Sequence, residues 1–502
     1  MSGPALSSQV ERFRAVVASR LGLQFDDAKT AWLAELLSRR LGIKGQQAES
    51  YLTCLQDEAS STELGAIAQE LTVPETYFFR NIEQFHALRE HVIPERMLAA
   101  GAHRDLRILS AGCASGEEPY SIAMVMRDLL LERARGLSIR AVDLNPAMVE
   151  KARRARYTTW ALRDTPPPMQ QRWFRPEGRE FVLDDTIRGA VTFQERNLNE
   201  DDAELWRPGT YDVIFCRNVL MYFAPSRAQA VAARIARSLA PGGYLFLGHA
   251  ETLRGLSQAF HLHHTHGTFY YQRKDEAEQD LAPASADLPG GAGPVLAAAV
   301  ESSDSWIEAI GKASERVRAL TEAQAPAGTV PAAAQRWHLG QALDLLQQER
   351  FAEALDLVQS LPAAATRDPD ALLLRAVLLV HSGQLAHAED ACHRLLVIDE
   401  LNAGAHYALA MCREGAGDSR GAIDRDQRAA YLDPAFAMPR MHLGLLARRS
   451  GDREAVQREL GQAMILLRRE DASRLLLFGG GFSREALLAL CRAELQACVD
   501  SA

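Results

Sequence analysis

The stretch that decides the fold class reads Leu106-Arg-Ile-Leu-Ser-Ala-Gly-Cys-Ala-Ser-Gly-Glu-Glu-Pro-Tyr120. Residues 106–111 form a short apolar run typical of a buried strand, Gly112 to Gly116 predict a tight loop, and Glu117 begins a pattern typical of an amphipathic helix. This order places backbone N–H groups and the positive end of a helix beside an open crevice. It predicts a small-molecule site, although a Gly-x-x-x-Gly spacing alone also fits an ordinary turn.

Strand and helix patterns alternate from this stretch to residue 274. The predicted strands are 106–111, 138–143, 191–196, 211–217, 243–249 and 268–273, and the predicted helices are 117–134, 146–155 and 225–239. Alternation of this kind indicates an α/β domain with a parallel sheet and helices on both faces. Ligands bind such sheets beyond the carboxyl ends of the strands, so the residues at those ends are site candidates.

Three strand ends supply candidate residues, all of which are polar except Leu198. Asp143 ends the second strand, Asn197 and Leu198 follow the third, and Arg217 and Asn218 follow the fourth. An acid at the end of the second strand can accept hydrogen bonds from both hydroxyls of a ribose. The alternative for Asp143 is a structural role at the helix N-cap that Asn145-Pro146 predicts.

Residues 8 to about 85 show helical periodicity and predict a small helical domain. Its cations Arg20, Arg39, Arg40 and Lys44 form either an ordinary solvated surface or a face that accepts an acidic helix. The segment Thr76-Tyr-Phe-Phe-Arg80 follows. Its aromatics are expected to pack the helical domain onto its neighbour, whereas Thr76 and Arg80 are harder to explain by packing.

Other segments mark the domain boundaries. Residues 157–190 interrupt the alternation with Thr165-Pro-Pro-Pro168 and extended pieces, which predicts an inserted β-subdomain. Residues 275–330 are rich in Ala, Pro, Gly and Ser and predict a flexible linker, with a helix near 306–320. The expected domains are therefore 1–85, 86–274 and, beyond the linker, 331–502.

A 34-residue repeat occupies the last of these domains. The repeat positions are Gly383, Gly417 and Gly451, then Ala376, Ala410 and Gly444, then Ala388, Ala422 and Val456. A preceding unit keeps the phase at Ala342 and Ala354. Small residues at this period, with Gly between two helices, predict tetratricopeptide units over about 336–470 and a closing helix at 483–499.

Composition excludes several classes of protein. With 502 residues the chain is too long for one core, and a net charge of −9 argues against a general nucleic-acid binder. The N-terminus lacks signal-peptide order and no run of about eighteen apolar residues occurs, so we expect a cytoplasmic protein without membrane insertion. The seven cysteines show no zinc spacing, which predicts reduced thiols and no metal site.

Together these motifs resemble the chemotaxis receptor glutamate methyltransferase (CheR) family, joined to a tetratricopeptide module. The resemblance covers about residues 8–274 and rests on 76–80, 110–123, 142–145, 196–198, 215–223 and 248–252, in the family's order. It implies a helical N-terminal domain and a Rossmann-like class I methyltransferase domain with a small β-subdomain inserted in it. It also implies S-adenosylmethionine as methyl donor, with S-adenosylhomocysteine as product, and glutamates on the cytoplasmic helices of chemoreceptors as acceptors. In some members the inserted subdomain also docks a receptor tail peptide.

The resemblance also implies the site residues. The expected cofactor contacts are Thr76, Arg80, Glu117 or Glu118, Asp143, Asn197, Leu198, Arg217 and Asn218, with the loop opened by Gly112 as the cradle for the methionine part. General methyltransferases often place an acid where Ser110 stands here.

A carboxylate acceptor is already ionised at neutral pH, so the reaction needs positioning more than a base. We expect Arg80 to orient the acceptor or the cofactor and Tyr222 to donate a hydrogen bond near the methyl group. The alternative for Tyr222 is core packing. Two further functions stay open: a methyltransferase with another acceptor, and an inactive scaffold that acts through its repeats.

Overall fold

A computed structural model of the protein describes residues 4–57, 61–72, 75–99, 105–131, 137–275, 342, 345, 350–360, 368–479 and 482–500. The chain forms two compact units, residues 1–279 and 280–502. Apart from residue 275, the predicted linker 275–330 and its helix near 306–320 lie outside the described residues.

The first unit begins with four helices, α1 Pro4–Arg20, α2 Thr30–Lys44, α3 Ala48–Cys54 and α4 Ser61–Leu71. Their apolar stripes converge on a separate small core in which Phe13, Leu36 and Leu52 are fully buried. The helical periodicity of this region therefore has its expected physical origin, one buried face on each helix. The chain continues through α5 Ile82–Ala87, a π-helical segment Leu88–Val92 and α6 Ile93–Ala99.

A seven-stranded sheet forms the centre of the first unit. Its strands are β1 Leu106–Ala111, β2 Leu137–Asp143, β6 Val191–Glu195, β7 Tyr211–Cys216, β8 Leu239–Leu247, β9 Phe260–Thr265 and β10 Thr268–Arg273, in the order β6-β2-β1-β7-β8-β10-β9. The helices between them are α7 Glu117–Leu131, α8 Pro146–Arg154 and α11 Pro225–Ser238. The predicted α/β fold is confirmed.

The predicted parallel pairing holds for five of the seven strands, and the sheet as a whole is mixed. The five strands from β6 to β8 pair in parallel, but β10 pairs antiparallel with both β8 and β9. Strand β9 was not among the predicted strands. A short turn after Thr265 returns the chain directly along its neighbour, and a hairpin of this kind must be antiparallel.

The segment after α8 forms a second, three-stranded sheet. Its strands are β3 Arg156–Tyr157, β4 Phe174–Glu177 and β5 Glu180–Leu183, and the helices α9 Pro167–Trp173 and α10 Asp185–Arg188 flank them. A 3-10 turn at Thr159–Leu162 follows β3. This small sheet lies in the region that was predicted as an insertion.

The second unit consists of helices in its described part. They are Phe351–Gln359, Pro369–His381, Leu385–Ile398, Ala403–Gly415, Ser419–Leu432, Ala437–Ser450, Arg453–Leu467, Ala472–Phe478 and Arg484–Asp500. Equivalent helices begin at Pro369, Ala403 and Ala437, which reproduces the 34-residue period of the sequence. A methyl group at Gly444 would lie 2.4 Å from Leu460, which explains the small residues at this helix crossing.

No helix in the described part of the chain is long and apolar enough to cross a membrane.

Candidate active site

A cavity of about 330 Å³ opens at the carboxyl ends of β1, β2, β6 and β7. Ten of the eleven residues predicted for the site line it: Thr76, Arg80, Gly112, Glu118, Asp143, Asn197, Leu198, Arg217, Asn218 and Tyr222. The helical domain closes one side through Leu21, Leu23 and Phe25. The site therefore lies where parallel α/β sheets bind their ligands.

The glycine loop does not present its amides to this cavity as the sequence analysis expected. The N–H groups of Gly112 and Cys113 donate to the carbonyl of Val142 at 2.8 and 3.0 Å, and that of Ala114 donates to Asp143 Oδ2 at 2.8 Å. These three N–H groups are already hydrogen-bonded within the protein. The loop therefore shapes the cavity, and carboxylates rather than an anion-binding nest set its chemistry.

Position 112 accepts only glycine. Its φ is +79°, a left-handed conformation that disfavours other residues, and a Cβ there would lie 2.4 Å from Val219 Cγ2. The strand end after β1 and the segment after β7 thus approach each other too closely for any side chain at this position.

Asp143 has both carboxylate oxygens anchored. Oδ2 accepts from the Ala114 amide and Oδ1 from the Asn145 amide, each at 2.8 Å. Burial raises the pKa of Asp143, and these backbone donors oppose that shift. The N-cap of α8 is Asn145, whose Oδ1 accepts from Ala147 and Met148. Asp143 therefore does not serve as the cap, and its remaining lone pairs are free to accept from a ligand.

Glu118 and Arg217 form a buried ion pair in the wall of the cavity, with Arg217 Nη1 3.3 Å from Glu118 Oε2. Ser110 donates to the other oxygen of Glu118 at 2.7 Å, so the serine at the unusual loop position orients this acid. Burial raises the pKa of Glu118, while the Arg217 guanidinium opposes the shift. Arg217 also donates to the carbonyl of Arg80 and to Asn81 Oδ1, both at 2.6 Å.

Glu117 lies outside the lining of the cavity. It is 2% exposed and accepts from its neighbour Ser115 at 2.8 and 3.0 Å. The helical geometry explains the difference, because consecutive residues point about 100° apart around a helix. Of the two glutamates, only Glu118 is placed for direct contact with a ligand in the cavity.

The segment 76–80 divides its residues between core and cavity. Phe78 is fully buried against Tyr157 and Phe174, with ring centroids 4.7 and 4.9 Å away, whereas Tyr77 and Arg80 line the cavity. Packing thus accounts for Phe78 and Phe79, which are buried in the core of the α/β domain rather than against the helical domain, but not for Tyr77. Arg80 donates to the carbonyl of Glu75 at 2.9 Å and makes no ion pair with any residue the structure describes.

Asn197 joins the sheet to the helical domain. Its Nδ2 donates to the carbonyl of Arg20 at 2.8 Å, and its Oδ1 accepts from the amide of Asn199 at 3.0 Å. The segment around Tyr222 meets the same domain, since the Gln24 amide donates to the Tyr222 carbonyl at 2.8 Å. Tyr222 itself is 38% exposed, so core packing does not account for its side chain.

Glu251 is a buried carboxylate that the residue-by-residue predictions missed. Its two oxygens accept from the backbone amides of Asn218, Val219 and Met221 and from that of Gly248. It therefore fixes the segment that carries Asn218 and Tyr222. The backbone of Asn218 is left-handed, with a φ of +59°. The motif 248–252 contributes to the family resemblance, but only the fold shows that Glu251 accepts hydrogen bonds from the segment after β7.

The cavity suits the cofactor that the family resemblance implies. Asp143 can accept from the hydroxyls of a ribose, and Glu118 places negative charge where an amino group or a sulfonium can be held. The buried Nε of Arg217 has no hydrogen-bond partner within the described residues and can donate to a carboxylate. Apolar side chains such as Leu144, Met148 and Leu198 supply the remaining surface for a flat base.

Comparisons with known proteins agree with this geometry. A family model described as the SAM-binding domain of CheR methyltransferases matches residues 74–269. Chemotaxis protein methyltransferase 2 of Vibrio cholerae is 34% identical over 277 residues, which cover 54% of this chain and 94% of that protein. Chemotaxis protein methyltransferase 1 of Pseudomonas aeruginosa is 32% identical over 51% of this chain and 95% of its own length.

Relatives that match both halves of the sequence also exist. The probable biofilm formation methyltransferase WspC of Pseudomonas aeruginosa is 29% identical over 457 residues, or 89% of this chain and 96% of that protein. The family model spans residues 74–269, and most of the residues that line the cavity lie within that range. The matches also cover almost the full length of these relatives. The chain belongs to the CheR family of S-adenosylmethionine-dependent methyltransferases.

Proposed function

We propose that this enzyme methylates glutamate side chains on the cytoplasmic helices of chemoreceptor-like proteins, and that it acts in the cytoplasm. One observation carries the choice of acceptor: Arg80 lines the cavity, and its guanidinium makes no ion pair within the described residues, so it can hold a carboxylate. A glutamate arrives ionised, since its ordinary pKa is about 4.3, and it needs no base to become a nucleophile. The names of the chemotaxis relatives support the same substrate.

S-adenosylmethionine supplies an electrophilic methyl group, so the acceptor oxygen gains a bond to carbon as the carbon–sulfur bond breaks, and no proton is transferred. The protein's residues must therefore align the acceptor, exclude water and hold charge. Arg80 lines the cavity without an ion pair to any described residue and would orient the acceptor carboxylate. Tyr222, whose ring is partly exposed there, would donate a hydrogen bond near the reacting atoms.

Opposite charges approach and neutralise each other in this reaction, so a dry cavity favours the transition state over the separated ions. Leu23, Phe25 and Phe223 contribute apolar surface from the helical domain and the segment after β7. The helical domain thus completes the wall of the site. We assign the parts of the chain accordingly: 1–85 as this helical domain, 86–274 as the catalytic domain with 157–190 inserted, and 331–502 as a binding module.

For the repeats we propose binding of a protein segment. A groove of about 320 Å³ in the second unit is mostly apolar and includes Met411, Met438 and Met441. Phe482, which is 60% exposed, lies on the same groove. Flexible methionines beside an exposed aromatic suit the apolar side chains of a peptide. That WspC matches both units supports one protein in which enzyme and binding module act together.

The test is transfer of a labelled methyl group from S-adenosylmethionine to purified cytoplasmic fragments of candidate receptors. The proposal predicts label that is released as methanol by mild base, which identifies a carboxyl ester, and no transfer by Asp143→Ala. Label that resists base would show another acceptor. Cofactor binding without transfer to any receptor fragment would instead favour a scaffold that acts through its repeats.

A further inference from the structure

A stack of alternating rings and a cation leads from the cavity onto the inserted subdomain. The Arg163 guanidinium lies 3.7 Å from the centroid of the Tyr77 ring and 4.3 Å from that of the Trp160 ring. Tyr77 lines the cavity, whereas Trp160 is 70% exposed. We call Tyr77, Arg163 and Trp160 the aromatic ridge.

The ridge carries positive charge that the protein does not neutralise. Arg163 donates to the carbonyl of Trp160 at 2.8 Å and, like Arg80, forms no ion pair within the described part of the chain. Its planar group is held between two rings, so little side-chain entropy is lost when a carboxylate binds its open edge.

The basic residues of α2 contrast with this arrangement. Arg39 contacts Glu70 at 2.6 Å, and Arg40 and Lys44 contact Glu63 at 2.7 and 2.8 Å. Arg40 and Glu63 are each only 11% exposed, so their charges satisfy one another inside the helical domain. The face that the sequence suggested for an acidic helix is therefore largely neutralised, whereas Arg80 and Arg163 keep their charge unpaired within the described residues.

We propose that the aromatic ridge is the docking surface for the acceptor segment, an acidic helix whose neighbouring carboxylates bind Arg163 while an apolar side chain covers Trp160. This inference rests on the proposed function and names a specificity surface for it. One helical turn rises 5.4 Å, so residues one or two turns from the methylated glutamate can reach the ridge from the cavity.

The composition of the ridge fits such a role. Trp, Tyr and Arg are the residues most enriched among those that dominate binding energy at interfaces. The indole of Trp160 is 70% exposed, so its burial by a partner would lower the free energy of the complex. Because the ridge begins at a residue that lines the cavity, a bound helix would present one side chain to the site while the ridge holds its neighbours.

The experiment is steady-state methylation of a receptor fragment by the full chain and by two variants, Trp160→Ala and Arg163→Gln. Each should raise the KM for the fragment at least fivefold, with kcat and the Kd for S-adenosylhomocysteine changed less than twofold. Arg163→Gln should also weaken the salt dependence of KM. Matched controls are Arg175→Gln, an exposed cation on β4, and Leu98→Ala, which is 84% exposed on α6.

The outcomes separate the two proposals. If the unmodified enzyme transfers base-labile label but both ridge variants keep the KM of the controls, the ridge proposal is overturned and the proposed function stands. If the unmodified enzyme labels no receptor glutamate, the proposed function fails first. A fragment without its C-terminal tail must respond equally to Trp160→Ala, since an effect confined to the tailed fragment would assign the ridge to a tail peptide and overturn the acceptor assignment.

Discussion

Replacing Glu251 by Gln should disable the cofactor site without touching the cofactor. In the native protein one oxygen accepts from Val219 and Met221 at 2.8 and 3.3 Å, and the other from Asn218 and from Gly248 at 2.9 Å. A glutamine has one oxygen and one NH₂ group, so either orientation turns two buried N–H donors against another donor. At about 1–3 kcal/mol for each unsatisfied donor, the structure as it stands would lose about 2–6 kcal/mol.

The segment should relax rather than bear this cost, because Asn218 is held in a left-handed conformation that a free chain avoids. We therefore expect the Kd for S-adenosylhomocysteine, measured by isothermal titration calorimetry, to rise at least tenfold, which corresponds to about 1.4 kcal/mol. The Tm should fall as well. Glu150→Gln, a 58% exposed acid on α8, is the control and should change neither value. A Glu251→Gln protein with the control's Kd and Tm would refute the reasoning.

Three further predictions follow from the same contacts. Asp143→Ala should weaken binding of S-adenosylhomocysteine by roughly 2 kcal/mol or more in a calorimetric titration, and an unchanged Kd would exclude the ribose contact. Tyr222→Phe keeps the ring, so kcat should fall while the Kd for S-adenosylhomocysteine stays constant; unchanged turnover would contradict the hydrogen-bonding role. In the repeats, burial raises the pKa of Asp426 to about 7, and the pKa of His442, 2.6 Å away, is raised by that partner against the effect of burial. Because the carboxyl of Asp426 holds its proton up to about pH 7 in the folded protein but only to about pH 4 in the unfolded chain, its contribution to stability is full at acid pH and is lost as pH rises to about 7. Asp426→Asn should therefore gain Tm relative to the unmodified chain as pH rises from about 4 to 7. A pH-independent difference in Tm would show that this pair does not titrate there.

The fold class was predictable because its signals are local. The alternation of apolar strand runs and helical stripes over 106–274 indicates the α/β class although the glycine loop alone does not, and a repeat period can be read directly from the small residues at helix crossings. Strand β9 was missed because its run His261-Leu-His-His264 is polar and lies at the edge of the sheet, where burial no longer imposes an apolar pattern.

The site was predictable only in part. The residues at strand ends were found because parallel strands bring their carboxyl ends to one edge. The hydrogen bonds of the glycine-loop amides could not be predicted from the sequence, because they depend on where the carbonyl of Val142 and the carboxylate of Asp143 lie. Three of the four donors to Glu251 lie 30 to 33 residues away in the sequence, and no sequence pattern predicts that contact. The choice between Glu117 and Glu118 likewise needed the orientation of α7.

The most direct test of the central claim is mass-spectrometric mapping of the methyl group on a receptor cytoplasmic fragment after incubation with the enzyme and S-adenosylmethionine. The account predicts methyl esters on glutamate side chains of the receptor helix, lost when the modified glutamates are replaced by Gln. Methylation of lysine, hydroxyl or other non-carboxylate side chains, with the glutamates unmodified, would contradict it.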